Sequence, residues 1–214
     1  MGPADMPQVE HRAIMDSQQL AARKSAEEAF YKDLLAQTPA PKAVKNMNEI
    51  NNLGQIARMQ MPATWKESAK EESKVAGSSY REFTADGKPD SKFCFFYRGR
   101  RMSEASSKAF HDLLSKPAHV LSSAELKSIG EVLDAKADAS VFNTLSARTE
   151  DLNGKSVLIV EGRYREKQVD TYAVFVDSDG TGSAVQEMFY QAPKADFMAR
   201  LKEAKESLKT VRWK

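Results

Sequence analysis

The densest group of side chains that could bind a ligand is a basic segment near the middle of the chain. Arg98, Arg100 and Arg101 surround a glycine and precede Ser103, which is a suitable N-cap for a helix. Backbone amides at a helix N-terminus favour anions, and arginine can bind a carboxylate or a phosphate with two hydrogen bonds. The segment therefore predicts an anion-binding loop. The alternative is a solvated turn whose arginines form local salt bridges with Glu104.

A second basic region lies on the helix that is predicted at the end of the chain. Lys202, Lys205 and Lys209 belong to its polar side. If this side shared a face with the arginine segment, an acidic partner or a nucleic acid could bind there. The formal net charge of the whole chain is only +2, which argues against nucleic acid as the main ligand.

The sequence offers little support for nucleophilic or cofactor chemistry. Its one cysteine, Cys94, stands between Phe93 and Phe95, where an apolar setting would bury the thiol and raise its pKa. The chain has no Gly-x-Ser-x-Gly elbow, no Walker motif and no dinucleotide glycine pattern. We therefore expect no catalytic residue and no cofactor, and a binding module more than an enzyme.

A metal site is also not expected. His11, His111 and His119 fall in different predicted elements, without the spacing of a zinc site. The segment that starts at Asp177 resembles a calcium loop, with a glycine at its sixth position. Its twelfth position, however, is Met188, where calcium loops carry a bidentate glutamate. The segment is better interpreted as a hairpin turn.

The second half of the chain predicts the strands that would position these side chains. Val157–Val160 and Thr171–Val176 are apolar on both faces, which is typical of strands covered on both sides. Ala184–Gln191 predicts a third strand. The closing helix carries one apolar stripe, so it should lie on the sheet with Trp213 fixing the chain end; the stripe consists of Phe197, Leu201, Ala204, Leu208 and Val211.

The first half of the chain predicts three more strands and three helices. The strands are Gln55–Met61, Tyr80–Thr84 and Ser91–Arg98, and two helices follow at Ser103 and Ser122. A helix over residues 9–37 and a linker over 38–52 precede them. This order predicts an α+β fold, an α/β/α sandwich whose mainly antiparallel sheet has helices on both faces, plus an N-terminal helix. The predicted domains are residues 1–52 and residues 53–214.

The layout resembles the PsbP-like fold, which includes DcrB-like bacterial envelope proteins. The similar features are an early strand that runs into Met61–Trp65, an antiparallel meander over 156–191, and a closing helix that ends near Trp213. The resemblance implies a non-enzymatic protein-interaction module, such as an envelope, secretion-associated or immunity-type factor. The alternative function is an anion or small-molecule binding protein, or an unrecognised enzyme, that uses the basic segment at 98–101.

Composition agrees with a globular domain. Of the 214 residues, 41% are hydrophobic and 29% are charged, and no stretch reaches the roughly 20 apolar residues of a membrane span. A single cysteine excludes an internal disulfide. The expected location is the periplasm or the exterior if a signal peptide has been removed, and the cytoplasm otherwise. Another protein is the expected partner.

Overall fold

The computed structural model describes residues 46–73 and 78–214, so the predicted helix over 9–37 lies outside the described residues. Ten strands are present there: β1 Met47–Leu53, β2 Ile56–Pro62, β3 Trp65–Ser73, β4 Ser78–Ala85, β5 Lys88–Arg101, β6 Phe142–Leu152, β7 Lys155–Tyr164, β8 Val169–Asp177, β9 Ala184–Pro193 and β10 Arg212–Trp213. The helices are α1 Glu104–Leu114, α2 Ser123–Ser128, α3 Gly130–Leu133 and α4 Lys194–Leu208, with a 3-10 turn over Asp134–Ala137.

The strands form two sheets in which every neighbouring pair is antiparallel. A seven-stranded sheet has the order β3-β4-β5-β9-β8-β7-β6, and a three-stranded sheet has the order β1-β2-β10. The predicted meander of three strands is confirmed as β7, β8 and β9. Short hairpin turns connect these three strands: a polar turn over residues 165–168, and a turn over residues 178–183 in which Asp179 and Gly180 are typical turn residues.

One face of the seven-stranded sheet, here called the front face, carries α1, α2 and α3. Leu158 and Val160 of β7 and Phe175 of β8 point to this face and pack with Phe110 of α1 and Val132 of α3. Helices α1 and α2 begin as the sequence predicts. Ser103 caps α1, and Ser122 forms a capping box with Glu125 at the start of α2.

The opposite face, the back face, is shared by α4 and the small sheet. Phe197 of α4 stacks on Tyr190 of β9, and all five residues of the predicted apolar stripe are buried. The buried side chain of Gln186 in β9 joins the two sheets, because it accepts a hydrogen bond from Gln55 N and donates one to Leu53 O. The indole of Trp213 donates to Leu152 O, which confirms its predicted role at the chain end.

The predicted α/β/α sandwich with helices on both faces is wrong. The described part of the chain is dominated by antiparallel strands, and its helices are few, with two of them only 6 and 4 residues long. A second sheet occupies part of the back face, where a helical layer was expected. The error arose because β1, β3 and most of β6 were not recognised as strands, so the helical share of the fold was overestimated.

Polar composition explains the strands that the sequence analysis missed. Most of β1 lies within the linker predicted over 38–52, and the Asn and Glu side chains of this strand are exposed. The charged segment after Trp65 is β3, at one edge of the large sheet. Lysine and glutamate on an edge strand discourage pairing with another chain, so their presence is compatible with strand structure.

None of the helices in the described residues combines the length and the apolar character that crossing a membrane requires.

Candidate functional site

Arg98, the first residue of the predicted anion site, belongs to β5 and is buried on the front face. Its guanidinium donates hydrogen bonds to the carbonyl oxygens of Glu131 (3.1 Å) and Val132 (2.7 Å). It also donates to a carboxylate oxygen of Glu187 at 3.3 Å. The two carbonyls lie near the end of α3, where a helix leaves acceptors without internal partners. Arg98 therefore holds α3 on the sheet.

The predicted loop at residues 98–101 is instead the end of the long strand β5. Arg100 and Arg101 lie in that strand, and their side chains are outside the described part of the structure. The helix that follows does begin at the predicted N-cap.

A second cation, Lys136, shares the Glu187 carboxylate with Arg98. Lys136 Nζ lies 2.5 Å from Glu187 Oε1. The same Nζ lies 5.5 Å from the ring centre of Tyr164, 5.6 Å from that of Phe175 and 5.4 Å from that of Phe189. A cation within about 6 Å of an aromatic ring centre is attracted by the negative ring face. These three rings and the Glu187 carboxylate are called the ammonium cage below.

The cage keeps a charged ammonium away from water. The side chains of Arg98, Lys136 and Glu187 are 2%, 7% and 6% exposed, so two positive groups and one negative group are buried together. Burial opposes the charged form of Lys136, but its interactions with Glu187 and Tyr164 outweigh this effect and raise the pKa of Lys136. Lys136 is therefore an ammonium ion at neutral pH.

Beside the cage, the front face presents half-buried aromatic side chains. Tyr80 of β4 lies directly opposite Phe96 of β5, and their rings form an edge-to-face pair with centroids 6.3 Å apart. Phe189 of β9 pairs in register with Cys94, two residues before Phe96, and so points to the same face. We call Tyr80, Phe96 and Phe189 the aromatic face. All three remain partly exposed although β4, β5 and β9 are interior strands.

Charged groups border the aromatic face on the side of β3. Glu82 accepts hydrogen bonds from Tyr80 Oη (2.7 Å), Ser68 Oγ (2.9 Å) and Lys92 Nζ (3.2 Å). Burial alone would raise the pKa of Glu82, but these three donors lower it. The border is therefore a fixed network of ionised and hydroxyl groups, which is typical of the rim of an interface.

Cys94 lies beneath this network and has no reactive character. Its thiol is fully buried, as the sequence analysis predicted, and accepts a hydrogen bond from Tyr80 Oη at 3.2 Å. Burial raises the pKa of Cys94 to about 12, although the hydrogen bond from Tyr80 partly opposes the shift. The nucleophilic thiolate is consequently scarce at neutral pH.

The lysines of the closing helix are not brought together with Arg98. Helix α4 covers the back face, whereas Arg98 points to the front face. Lys205 Nζ lies 4.6 Å from the ring centre of Tyr172 and 3.9 Å from Glu161, and Lys209 Nζ lies 3.3 Å from Glu206. Lys202 is exposed. Arg98 and the lysines of α4 therefore do not form one shared surface.

The loop that resembles a calcium site uses its carboxylates for its own backbone. Asp177 accepts hydrogen bonds from the amides of Gly180 (3.0 Å) and Gly182 (2.9 Å), and Asp179 accepts one from Thr181 N. Its two flanks are β8 and β9, as expected for a hairpin. Among the described residues no cluster of three or more His, Cys, Asp or Glu side chains could hold a metal ion.

Five residues of the site were not predicted from the sequence: Lys136, Glu187, Tyr164, Phe175 and Phe189. One signal was present: Glu187 is the one charged residue of β9, and a carboxylate in a strand with many apolar residues needs a buried partner. The partner itself, Lys136, is 51 residues away, in a polar segment without regular periodicity.

Comparisons with known proteins give a structural similarity only. No protein-family model matches the chain, and no curated protein matches its sequence. The chain is similar in structure to a crystal structure of a protein of unknown function from Pseudomonas aeruginosa, with 14% identity and a TM-score of 0.44. The similarity covers 79% of this chain and 98% of the other. It does not bear on the PsbP-like resemblance, which stays a prediction.

Proposed function

We propose that this protein is a non-enzymatic protein-interaction module whose partner docks on the aromatic face. The observation that carries the proposal is the row of partly exposed rings of Tyr80, Phe96 and Phe189 on three interior strands. Interior strands normally have such rings covered, because each buried aromatic side chain contributes substantially to stability. Here a partner protein would complete their burial.

The chemistry around the rings fits a protein interface. The centres of protein interfaces are enriched in Tyr and Phe, while their borders are polar. The network of Glu82, Lys92 and Ser68 would form such a border along β3. Arg98 does not favour the alternative of an anion site, because its guanidinium donates hydrogen bonds to Glu131, Val132 and Glu187 of the protein itself.

The substitution Phe96→Ser tests this proposal. The partner is first purified from native cells with the full chain, and its Kd is then measured by calorimetry with the wild type and the variant. Central aromatic residues of an interface commonly contribute more than about 1.4 kcal/mol, so we expect Kd to rise at least about tenfold. The melting temperature of the variant is recorded in parallel, so that loss of binding is separated from loss of fold.

Lys202→Ser is the control, because Lys202 is an exposed residue of α4 on the back face, away from the aromatic face and from Lys136. Its Kd should equal that of the wild type. An unchanged Kd for a folded Phe96→Ser variant would refute docking on this face. Turnover of a substrate by the purified chain, with no protein partner recovered, would refute the function itself.

A further inference from the structure

We propose that the ammonium cage is a binding site for a primary amine, occupied by Lys136 in the free protein and by a lysine of the partner protein in the complex. The second half of this proposal, the exchange of Lys136 for a lysine of the partner, rests on the proposed function, because it assumes a protein partner on the neighbouring aromatic face. The first half concerns the cage alone and can be tested without any partner.

The cage has the composition of an ammonium receptor. Lys136 Nζ lies between 5.4 and 5.6 Å from three ring centres. The carboxylate of Glu187 provides the opposite charge at 2.5 Å. Rings that surround a cation, together with a carboxylate, recognise ammonium groups through cation–π attraction and a charge-assisted hydrogen bond. Any unhindered primary amine would satisfy the same contacts.

Lys136 enters the cage from a segment that is otherwise exposed. We call the segment Asp134–Val141 the strap. Lys136 is its only buried residue, at 8% relative exposure, and the other seven are exposed. The strap is also tied to the β7–β8 turn, where Arg165 donates to the carbonyl oxygens of Ala139 and Val141 (both 2.9 Å). Arg165 is itself exposed, so water competes for its contacts.

The start of the strap is conformationally strained. Asp134 has φ 55° and ψ −128°, a region that residues with a side chain rarely adopt and that glycine prefers. Strained backbone persists only where surrounding contacts hold it. Within the strap, the buried contacts are those that Lys136 makes with Glu187 and with the three rings. Withdrawal of Lys136 would therefore let the strap relax.

Exchange of one amine for another leaves the net charge of the buried group unchanged. Two buried cations and one carboxylate are present while Lys136 occupies the cage, and the same count holds when a lysine of another protein takes its place. The withdrawn Lys136 regains its hydration in water. Phe189 belongs to both the cage and the aromatic face, so a protein docked on that face would contact one wall of the cage.

Emptying the cage allows a direct test with n-butylammonium chloride, which matches the lysine side chain. In the Lys136→Ala variant Arg98 remains to balance Glu187, so we expect this variant to fold. Butylammonium should raise its melting temperature with the logarithm of its concentration once this exceeds Kd, by about 3 °C at ten times its Kd. The ring signals of Tyr164 and Phe189 should shift in NMR spectra with the same Kd.

Three matched samples separate the cage from general effects of the salt. The wild type and the Lys127→Ala variant, which lacks an exposed lysine of α2, keep Lys136 in the cage and should need a far higher butylammonium concentration for the same rise in melting temperature. The Lys136→Ala/Phe189→Leu variant should show no such rise. Neutral n-butanol should not stabilise the Lys136→Ala variant. A Lys136→Ala protein that folds but does not bind butylammonium would overturn the proposal.

If the Lys136→Ala variant does not fold, hydrogen exchange of the wild type gives the result instead. Excess butylammonium should compete with Lys136 and accelerate exchange of the amides of Ala135–Ala139. Unchanged exchange would then overturn the proposal. Failure of either test for the cage would leave docking on the aromatic face intact, because that is measured separately with Phe96→Ser.

The exchange of Lys136 for a lysine of the partner is tested with the purified partner. Removal of the internal competitor should strengthen binding, since the partner no longer has to displace Lys136. We therefore expect the Lys136→Ala variant to bind the partner with a Kd at least about tenfold lower than that of the wild type. An equal or higher Kd would contradict the exchange of lysines, even where Phe96→Ser shows that the partner docks on this face.

Discussion

Replacing Glu187 with glutamine is expected to lower the free energy of unfolding by about 3–5 kcal/mol. Arg98 and Lys136 would then be two buried cations without a carboxylate between them. Removing one partner of a buried ion pair is costly because the remaining charge can neither pair nor regain its hydration. Urea denaturation of the wild type and the variant measures this difference.

Two controls identify charge as the cause. Glu206→Gln removes a carboxylate from an exposed ion pair with Lys209 and should change stability by at most about 1 kcal/mol. Adding Lys136→Met to Glu187→Gln leaves one buried cation instead of two, so the double variant should be more stable than Glu187→Gln alone. A Glu187→Gln variant as stable as the Glu206→Gln control would show that the buried charges do not depend on this carboxylate.

Gly182→Ala is expected to lower the free energy of unfolding by about 2–4 kcal/mol. Gly182 has φ +75°, and a Cβ atom there would lie 2.1 Å from the backbone oxygen of Ser107 in α1. Relief of this contact requires α1 to move away from the hairpin between β8 and β9. Because α1 packs into the core of the front face, such a shift would also disturb Phe110.

Gly180→Ala is a closely matched control in the same loop. Its φ of +74° is nearly identical, but a Cβ atom there has no neighbour within 4 Å. It should therefore show only the backbone cost of a positive φ, about 1 kcal/mol. Equal losses for the two variants, measured by thermal unfolding, would mean that α1 does not pack closely on the hairpin.

The strongest apolar patterns of the sequence predicted their environment correctly. Val157–Val160 is buried on both faces, as expected for a covered strand, and the apolar stripe of the closing helix lies against the sheet. Both predictions depend on local periodicity, which directly reflects the side that an element buries. The capping box of Ser122 and Glu125 is equally local and was also correct.

Features that depend on the neighbours of an element could not be predicted in this way. The composition of β3 is that of an exposed segment, because an edge strand needs charged residues more than apolar ones. The basic run around Arg98 had the composition of a solvated loop, but Arg98 lies under α3, where its charge meets Glu187 across 89 residues of sequence. A single sequence contains no record of such a pairing.

The proposed recognition surface is the aromatic face and not the two basic regions that the sequence predicted. The sequence predicted sites at the arginines before α1 and at the lysines of α4, but Arg98 and these lysines lie on different sides of the sheet. The partly exposed rings of Tyr80, Phe96 and Phe189 lie on the front face, beside the ammonium cage. The proposed recognition surface thus combines apolar rings, a polar border and a cation site.

The most direct measurement is NMR mapping of the isotopically labelled chain in complex with its purified protein partner. Docking on the aromatic face predicts that the largest shift changes fall on Tyr80, Phe96 and Phe189, with smaller changes along the strap. Signals of the exposed residues of α4, such as Lys202 and Lys209, should remain where they are in the free protein. Changes centred on α4, with the aromatic face unaffected, would contradict it.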